Sequence, residues 1–125
     1  DTAYNTVALT GTLTDSGSNF GFLVIDFPTN GIQNGAPDGM ALIDSNEECI
    51  ELLSYEGRLS PASGPCSEFL AIDIGVAEIT TTSGGSTAIG SSLQRVGTGS
   101  GGPDFEWSGP SPNTKGLTNT GQVLE

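Results

Sequence analysis

The sequence predicts an all-β domain of about eight short strands. Its apolar residues come in short, often alternating runs that are bounded by turn residues, a spacing typical of strands rather than of amphipathic helices. The 125 residues include 19 glycines and 7 prolines, which are the two residues least compatible with a helix interior. Hydrophobic residues make up 34% of the chain, which suits many short strands joined by turns. Together these observations are typical of a β-sandwich.

The first two predicted strands lie near the N-terminus. Thr6–Leu13 alternates, with Val7 and Leu9 on one face, and this pattern predicts a half-buried strand. Phe20–Phe27 reads FGFLVIDF, which is nearly continuously apolar and predicts a central strand covered on both faces. The polar cluster Thr14–Asn19 between them predicts a turn.

A rigid corner is predicted next, over Gly31–Asp44. Two turn-forming clusters, Gln33–Gly35 and Pro37–Gly39, precede the apolar run Met40–Ile43. Asn-Gly and Asp-Gly supply the positive φ of tight turns, and proline presets φ before the second turn. The run after the turns is therefore predicted to be a strand that enters the core.

The remaining strands follow at short intervals. They are predicted at Glu48–Ser54, at Phe69–Val76, at Gly90–Val96 and around the pair Phe105 and Trp107, with Val123 as a last anchor. Two stretches between them are rich in small residues and are predicted to be an exposed segment, Thr80–Thr87, and a flexible loop, Gly97–Pro103. A single domain over residues 1–125 is the natural organisation for this length.

The net charge of −12 excludes some classes of partner. The only basic residues are Arg58, Arg95 and Lys115, whereas phosphate binding needs clustered cations, so we expect no binding to nucleic acid. No apolar run approaches the ~18 residues of a membrane span, so we expect no membrane insertion. The acidity fits either solubility outside the cell or the binding of a divalent cation.

The two cysteines, Cys49 and Cys66, predict a disulfide. A disulfide implies an oxidising compartment and hence an extracellular location. The alternative is a pair of unrelated buried thiols. The Ser/Thr-rich tracts offer sites for O-linked glycan.

The absence of histidine excludes Ser–His–Asp and Cys–His catalysis within this chain. A pair of carboxylates is the catalytic option that remains, and no predicted cleft accompanies one, so the sequence predicts no enzyme. Calcium is the one cofactor left open, with Asp38, Asp44 and Asp104 as candidate ligands in or beside turns, although no D-x-D-x-D-G loop is present. Trp107 is expected in the core rather than on a ligand platform.

Five blocks of the sequence resemble the lamin-tail-like domains of secreted bacterial proteins, which often stand before an extracellular endonuclease domain. The blocks are GIQNGAPDGMALID (31–44), LSYEG (53–57), DIGV (73–76), GSSLQRVGTG (90–99) and FEWSGPSPNTKGLTNTGQ (105–122). The resemblance implies an immunoglobulin-like β-sandwich without a catalytic role, used for targeting, adhesion or packing. It carries over no catalytic residue. The cysteine pair and the residues Ser60–Ser67 depart from the bacterial pattern.

The resemblance also implies that this chain lacks the first strands of the family, because only Asp1–Asn5 precede the strand at Thr6. A sandwich without those strands exposes an assembly edge, which we expect at the apolar positions Val7, Leu9, Phe22 and Val24. Such an edge is a template for a strand from another polypeptide, and repeated head to tail this contact gives a filament. The alternatives are a self-contained sandwich and a truncated chain.

Three function classes follow from the sequence. The first is a non-catalytic extracellular structural subunit that packs with other protein chains, as a homo-oligomer or filament, by strand complementation. The second is an accessory targeting module cut from a secreted nuclease. The third is an adhesion module that binds calcium or glycan, which burial of Trp107 would argue against.

Overall fold

The computed structural model describes residues 3–28, 31–32, 37–75 and 87–125. Within these residues the chain is nearly all-β, with one 3₁₀ turn at Gly102–Asp104 and no α-helix. The strands are β1 (Asp38–Ile43), β2 (Cys49–Tyr55), β3 (Ile72–Asp73), β4 (Ser91–Gly99), β5 (Glu106–Pro112) and β6 (Gln122–Leu124). In this part of the chain no helix is long and apolar enough to cross a membrane.

The strands form two three-stranded sheets. The first has the order β1-β2-β3, in which β1 and β2 are antiparallel and β2 and β3 are parallel. The second has the order β5-β4-β6, in which β4 and β5 are antiparallel and β4 and β6 are parallel. β2 and β4 are therefore the central strands, each bonded on both sides.

The prediction of strands at Thr6–Leu13 and Phe20–Phe27 is wrong for the described residues, which hold six strands rather than about eight. We call residues 3–28 the arm. Within the described residues it takes part in two backbone–backbone hydrogen bonds, from the Ser16 N–H to the Phe20 carbonyl, at 2.7 Å, and from the Gly31 N–H to the Pro28 carbonyl at its end, at 2.8 Å, and neither belongs to a β-ladder. Alternation of apolar residues shows which face of a strand suits a core, but it does not supply the partner strand that a β-ladder requires.

The predicted strand Phe69–Val76 is shortened to β3. The chain before it forms turns, in which the Ser67 N–H donates to the Gly64 carbonyl and the Phe69 N–H to the Cys66 carbonyl. These bonds hold Phe69 in a turn and delay the extended conformation until Ile72. Val76, the predicted end, lies outside the described residues.

The predicted turn at Pro37–Gly39 is also wrong, because β1 begins at Asp38. Gly39 has no positive φ. A Cβ atom there would lie 2.6 Å from the Leu53 carbonyl oxygen and 2.8 Å from Leu59 Cδ2, so glycine is required for close approach. The other predicted turn, Gln33–Gly35, lies outside the described residues.

Three expectations for the C-terminal half are also corrected. The predicted loop at Gly97–Pro103 begins as strand, because β4 continues to Gly99 and pairs there with β6. Val123 is 51% exposed and does not anchor a core, while Thr87, at the end of a segment expected to be exposed, is buried. Residues 80–86 lie outside the described part of the chain.

The predicted disulfide is confirmed, with Cys49 and Cys66 joined at an S–S distance of 2.04 Å. It belongs to a small core in which Leu52, Cys66 and Ala71 are buried and Leu59 packs against them. Since Leu52 is on β2 and Ala71 directly precedes β3, this core lies on one face of the first sheet. The disulfide therefore attaches the loop before β3 to the start of β2.

We expect reduction of this disulfide to lower the free energy of unfolding by about 3 kcal/mol, because the bond closes a loop with a sequence separation of 17 residues. Urea unfolding followed by circular dichroism, with and without a thiol reductant, measures the difference. A variant with Cys49→Ala and Cys66→Ala is the control and should not respond to the reductant. Identical curves for the oxidised and reduced protein would contradict the expectation.

We expect Gly39→Ala to destabilise the protein by about 1–3 kcal/mol, because the new methyl group overlaps backbone that cannot move without disturbing the β1–β2 ladder. Gly101→Ala is the matched control. Its φ is −133°, and its Cβ would come no closer than 3.7 Å to a neighbouring atom. Urea midpoints of the two variants should differ clearly, and equal midpoints would show that close approach is not the reason for glycine at position 39.

Candidate functional site

A cleft of about 440 Å³ lies between the two sheets, lined by side chains of β2 and β4. Arg95 on β4 crosses it and forms an ion pair with Glu51 on β2. Arg95 is directly opposite Trp107 in the β4–β5 register, so both side chains are on the same face of the second sheet. The guanidinium carbon lies 5.1 Å from the centroid of the indole ring, which is a cation–π contact.

The polar groups of the cleft bond mainly to one another. The side-chain amide nitrogen of Asn119 donates a hydrogen bond to the Arg95 backbone carbonyl at 3.0 Å. The Thr114 hydroxyl donates one to the side-chain amide oxygen of Asn119 at 2.7 Å. Within the described residues, Arg95 Nε is buried and has no hydrogen-bond partner. The Arg95–Glu51 ion pair thus joins the two sheets across the cleft, and the Arg95 guanidinium already occupies one face of the Trp107 ring.

Two of the three candidate calcium ligands, Asp44 and Asp104, accept hydrogen bonds from backbone N–H groups of their own turns. The Asp44 carboxylate accepts the backbone N–H groups of Glu48, at 2.8 Å, and Asn46, at 2.9 Å, and the bond from Glu48 does most to lower the pKa of Asp44. The Asp104 carboxylate accepts the backbone N–H groups of Gly101 and Ser100, which lower its pKa.

Asp38, the third candidate, lies on β1 opposite Tyr55. In the described ranges no group of three or more His, Cys, Asp or Glu side chains is arranged to hold a metal ion. The structure therefore does not bring the three aspartates together into one site.

The four residues of the predicted assembly edge, Val7, Leu9, Phe22 and Val24, all lie in the arm rather than on an edge strand. Each is between 38% and 50% exposed. The sequence placed these four apolar residues on strands that are not present among the described residues.

Side chains hold the arm along the mouth of the cleft. Phe22 lines the cleft, and Asp26 forms an exposed ion pair with Lys115. Val24 lies against Gly116, where a Cβ atom would come within 3.4 Å of Val24 Cγ2. At the other end of the arm, Tyr4 is hydrogen-bonded to Tyr55, and burial together with this bond raises the pKa of Tyr55.

β1 presents a second apolar surface that the sequence did not reveal. In the β1–β2 register Met40 is opposite Leu53, and Leu42 is opposite Glu51, so Met40 and Leu42 are on the cleft-facing side of the sheet. The side chains of Met40 and Leu42 are 44% and 43% exposed, and that of Ile43 is 43% exposed. The run lacks the charged residues and prolines that mark many edge strands, so it was predicted to be core.

The Arg95–Glu51 pair was also missed, although one signal was available. Glu51 is the one charged residue within an otherwise uncharged strand, and it shares a face with Leu53. An acidic group at such a position requires a cation, and the chain contains only three basic residues.

The exposed apolar surface is extensive for a chain of 12.7 kDa. The accessible surface area is 8590 Å², whereas folded monomers of this mass average about 6,200 Å². Nineteen large apolar side chains of the described residues are exposed, eight of them in the arm and three on β1. Single exposed apolar residues are ordinary, but contiguous ones mark interaction surfaces.

Comparison with known proteins provides no relative. The chain matches no family model, no curated protein and no solved structure. The geometry of the cleft, the arm and β1 is therefore the basis for a functional proposal.

We expect the Arg95–Glu51 pair to stabilise the fold with a coupling free energy of about 1 kcal/mol, which decreases with added salt. The measurement is a double-mutant cycle of Arg95→Gln and Glu51→Gln in urea unfolding. Trp107 is the only tryptophan, so its fluorescence reports the loss of the guanidinium directly.

The control cycle uses Lys115→Gln and Asp26→Asn, because that pair is 56% and 76% exposed and should show no measurable coupling. Equal coupling in the two cycles would mean that burial in the cleft adds nothing to the Arg95–Glu51 interaction.

Proposed function

We propose that this chain is a non-catalytic extracellular structural subunit that assembles with other protein chains by strand complementation into a surface or filamentous assembly. In this proposal the two sheets are the layers of an immunoglobulin-like β-sandwich of the lamin-tail-like type. The observation that carries it is the exposed apolar surface of the arm and β1, which together hold eleven exposed large apolar side chains.

The small core supports the proposal. Only Leu52, Cys66, Ala71 and Ile74 are buried hydrophobic residues in the described part of the chain. A protein of this length ordinarily buries a contiguous core of large side chains, because apolar burial is the main favourable contribution to folding. The apolar residues needed for such a core are present but remain in contact with water, so a partner surface has to cover them.

The chemistry of the cleft supports a non-catalytic role. Its charged groups are paired, Arg95 with Glu51 and Lys115 with Asp26 of the arm, and histidine, the commonest general base, is absent from the chain. The disulfide supports an oxidising compartment and thus secretion.

The two other function classes have less support. A net charge of −12 is unfavourable for a module that positions a nuclease on DNA. For a glycan-binding module, Trp107 would have to present a ring face to a sugar, and Arg95 covers one of its two faces.

Assembly is tested by sedimentation velocity and light scattering of the full chain over a wide range of concentration. We expect the mass to rise with concentration beyond that of a dimer, and binding of an apolar dye to fall as the exposed surface is covered. A monomer that persists at every concentration and still binds the dye would contradict the proposed function.

A further inference from the structure

The outer edge of β1 is open to an additional strand. β1 is the terminal strand of the sheet order β1-β2-β3, so one side of its backbone has no partner strand among the described residues. Met40 and Leu42 project to one face and Ala41 and Ile43 to the other, and the one charged residue of β1 is Asp38 at its first position, so the stretch from Gly39 to Ile43 has no charged residue or proline. Natural edge strands usually carry such residues, because they block the addition of a further strand.

The segment Phe20–Phe27 of the arm matches this edge. Phe22 and Val24 alternate with Leu23 and Ile25, so in an extended conformation both of its faces are apolar, as both faces of β1 are. These four side chains are 38–52% exposed where the segment now lies. A strand that is apolar on both sides is stable beside another such strand when the layers above and below are covered.

The contacts that Phe20–Phe27 makes within its own chain leave its backbone without a partner strand among the described residues. The segment touches the cleft and the residues Lys115 and Gly116 through side chains, and its backbone pairs with no strand. The other half of the arm, Thr6–Leu13, carries threonines between its apolar residues, which suits an outer strand with one face in water.

The turn between the two halves already favours a hairpin. The Asp15 carboxylate accepts the Gly17 N–H at 2.8 Å, the Ser16 hydroxyl donates to the Phe20 carbonyl at 2.7 Å, and Asn19 has a φ of 61°. The arm therefore has a formed turn and two unpaired strand segments.

We propose that Phe20–Phe27 of one copy adds as a strand to the outer edge of β1 in a second copy of this chain, and covers Met40 and Leu42 there. The inference deepens the proposed function and rests on it, because it names the donor segment, the acceptor edge and the partner. Each copy gives its arm to one neighbour and receives an arm from another. This contact is heterologous, so it generates a filament or ring rather than a closed two-fold dimer.

The exposed area fits two such contacts for each copy. The whole chain exposes about 2,400 Å² more than a folded monomer of its mass, and a standard interface removes about 800 Å² from each partner. Two interfaces of this size remove about 1,600 Å² from each copy, which is less than the excess. A second copy is the simplest occupant, because the same chain carries both the unpaired strand segment and the open edge.

Three single variants test the pairing. Val24→Asp places a charge in the donor segment and Leu42→Asp places one on the acceptor edge. Leu70→Asp, at a position that is 71% exposed and outside both surfaces, adds the same charge as a control. All three positions are exposed, so we expect folding to be retained, and circular dichroism and the absence of free thiols confirm it in each variant.

The mixing experiment distinguishes a head-to-tail contact from general apolar association. We expect the wild type and Leu70→Asp to form large species, and Val24→Asp and Leu42→Asp each to remain monomeric. An equimolar mixture of the last two retains one intact donor and one intact acceptor between its members, so it should form a one-to-one dimer and nothing larger.

Hydrogen exchange gives a second measurement. In the wild-type assembly the amides of 20–27 and the outward-facing amides of 38–43, which do not bond β2, should become protected together, and in the monomeric variants both groups should exchange fast. If Val24→Asp and Leu42→Asp assemble as the wild type does, the inference is wrong and the proposed function stands. A mixture that stays monomeric also overturns the arm–β1 pairing, and a monomeric wild type overturns the proposed function itself.

Discussion

A β-strand is stable only when its backbone N–H and C=O groups have partners, and this requirement divides the molecule into a satisfied and an unsatisfied part. β2 and β4 are bonded on both sides, and every other regular element of the described residues is attached to one of them. The disulfide is anchored at the start of β2, and the ion pair of the cleft joins β2 to β4. Among the described residues, the backbone of the arm and the outer edge of β1 lie outside the strand ladders, and eleven of the nineteen exposed large apolar side chains are in the arm and β1.

The contact between the two sheets is unusual in depending on charge. Arg95 spans from the indole ring of Trp107 to the carboxylate of Glu51, where a packed sandwich would place aliphatic side chains. A charged pair fixes orientation more strictly than apolar packing does, because its hydrogen bonds are directional. The cleft can therefore keep a defined width while the apolar rows beside it are only half covered.

The sequence predicted what depends on local pattern. The strands at Met40–Ile43, Glu48–Ser54 and Gly90–Val96 are present as β1, β2 and β4, with bounds shifted by one to three residues. The disulfide followed from the cysteine count.

Structural features that depend on residues distant in the chain could not be predicted from local sequence patterns. Phe20–Phe27 has an apolar pattern typical of a strand, yet nothing in that pattern says whether a partner strand lies beside it. Gly39 was assigned to a turn because glycine is common there, whereas its actual constraint is the Leu53 carbonyl on the neighbouring strand. The Arg95–Glu51 contact joins residues 44 positions apart, beyond the reach of any local pattern.

The tight connection between β1 and β2 bears on the order of events in the assembly that we propose. The Asp44 N–H donates to the Glu48 carbonyl, and the Asp44 carboxylate accepts two further amides of the same turn, so this hairpin closes through contacts that are local in the chain. Local contacts form fast, because they cost little loop-closure entropy. The acceptor edge is thus complete as soon as its own hairpin has folded. In the proposed assembly, the time needed to build a polymer is then set by how often two folded molecules meet, and so by their concentration, rather than by the folding of either one.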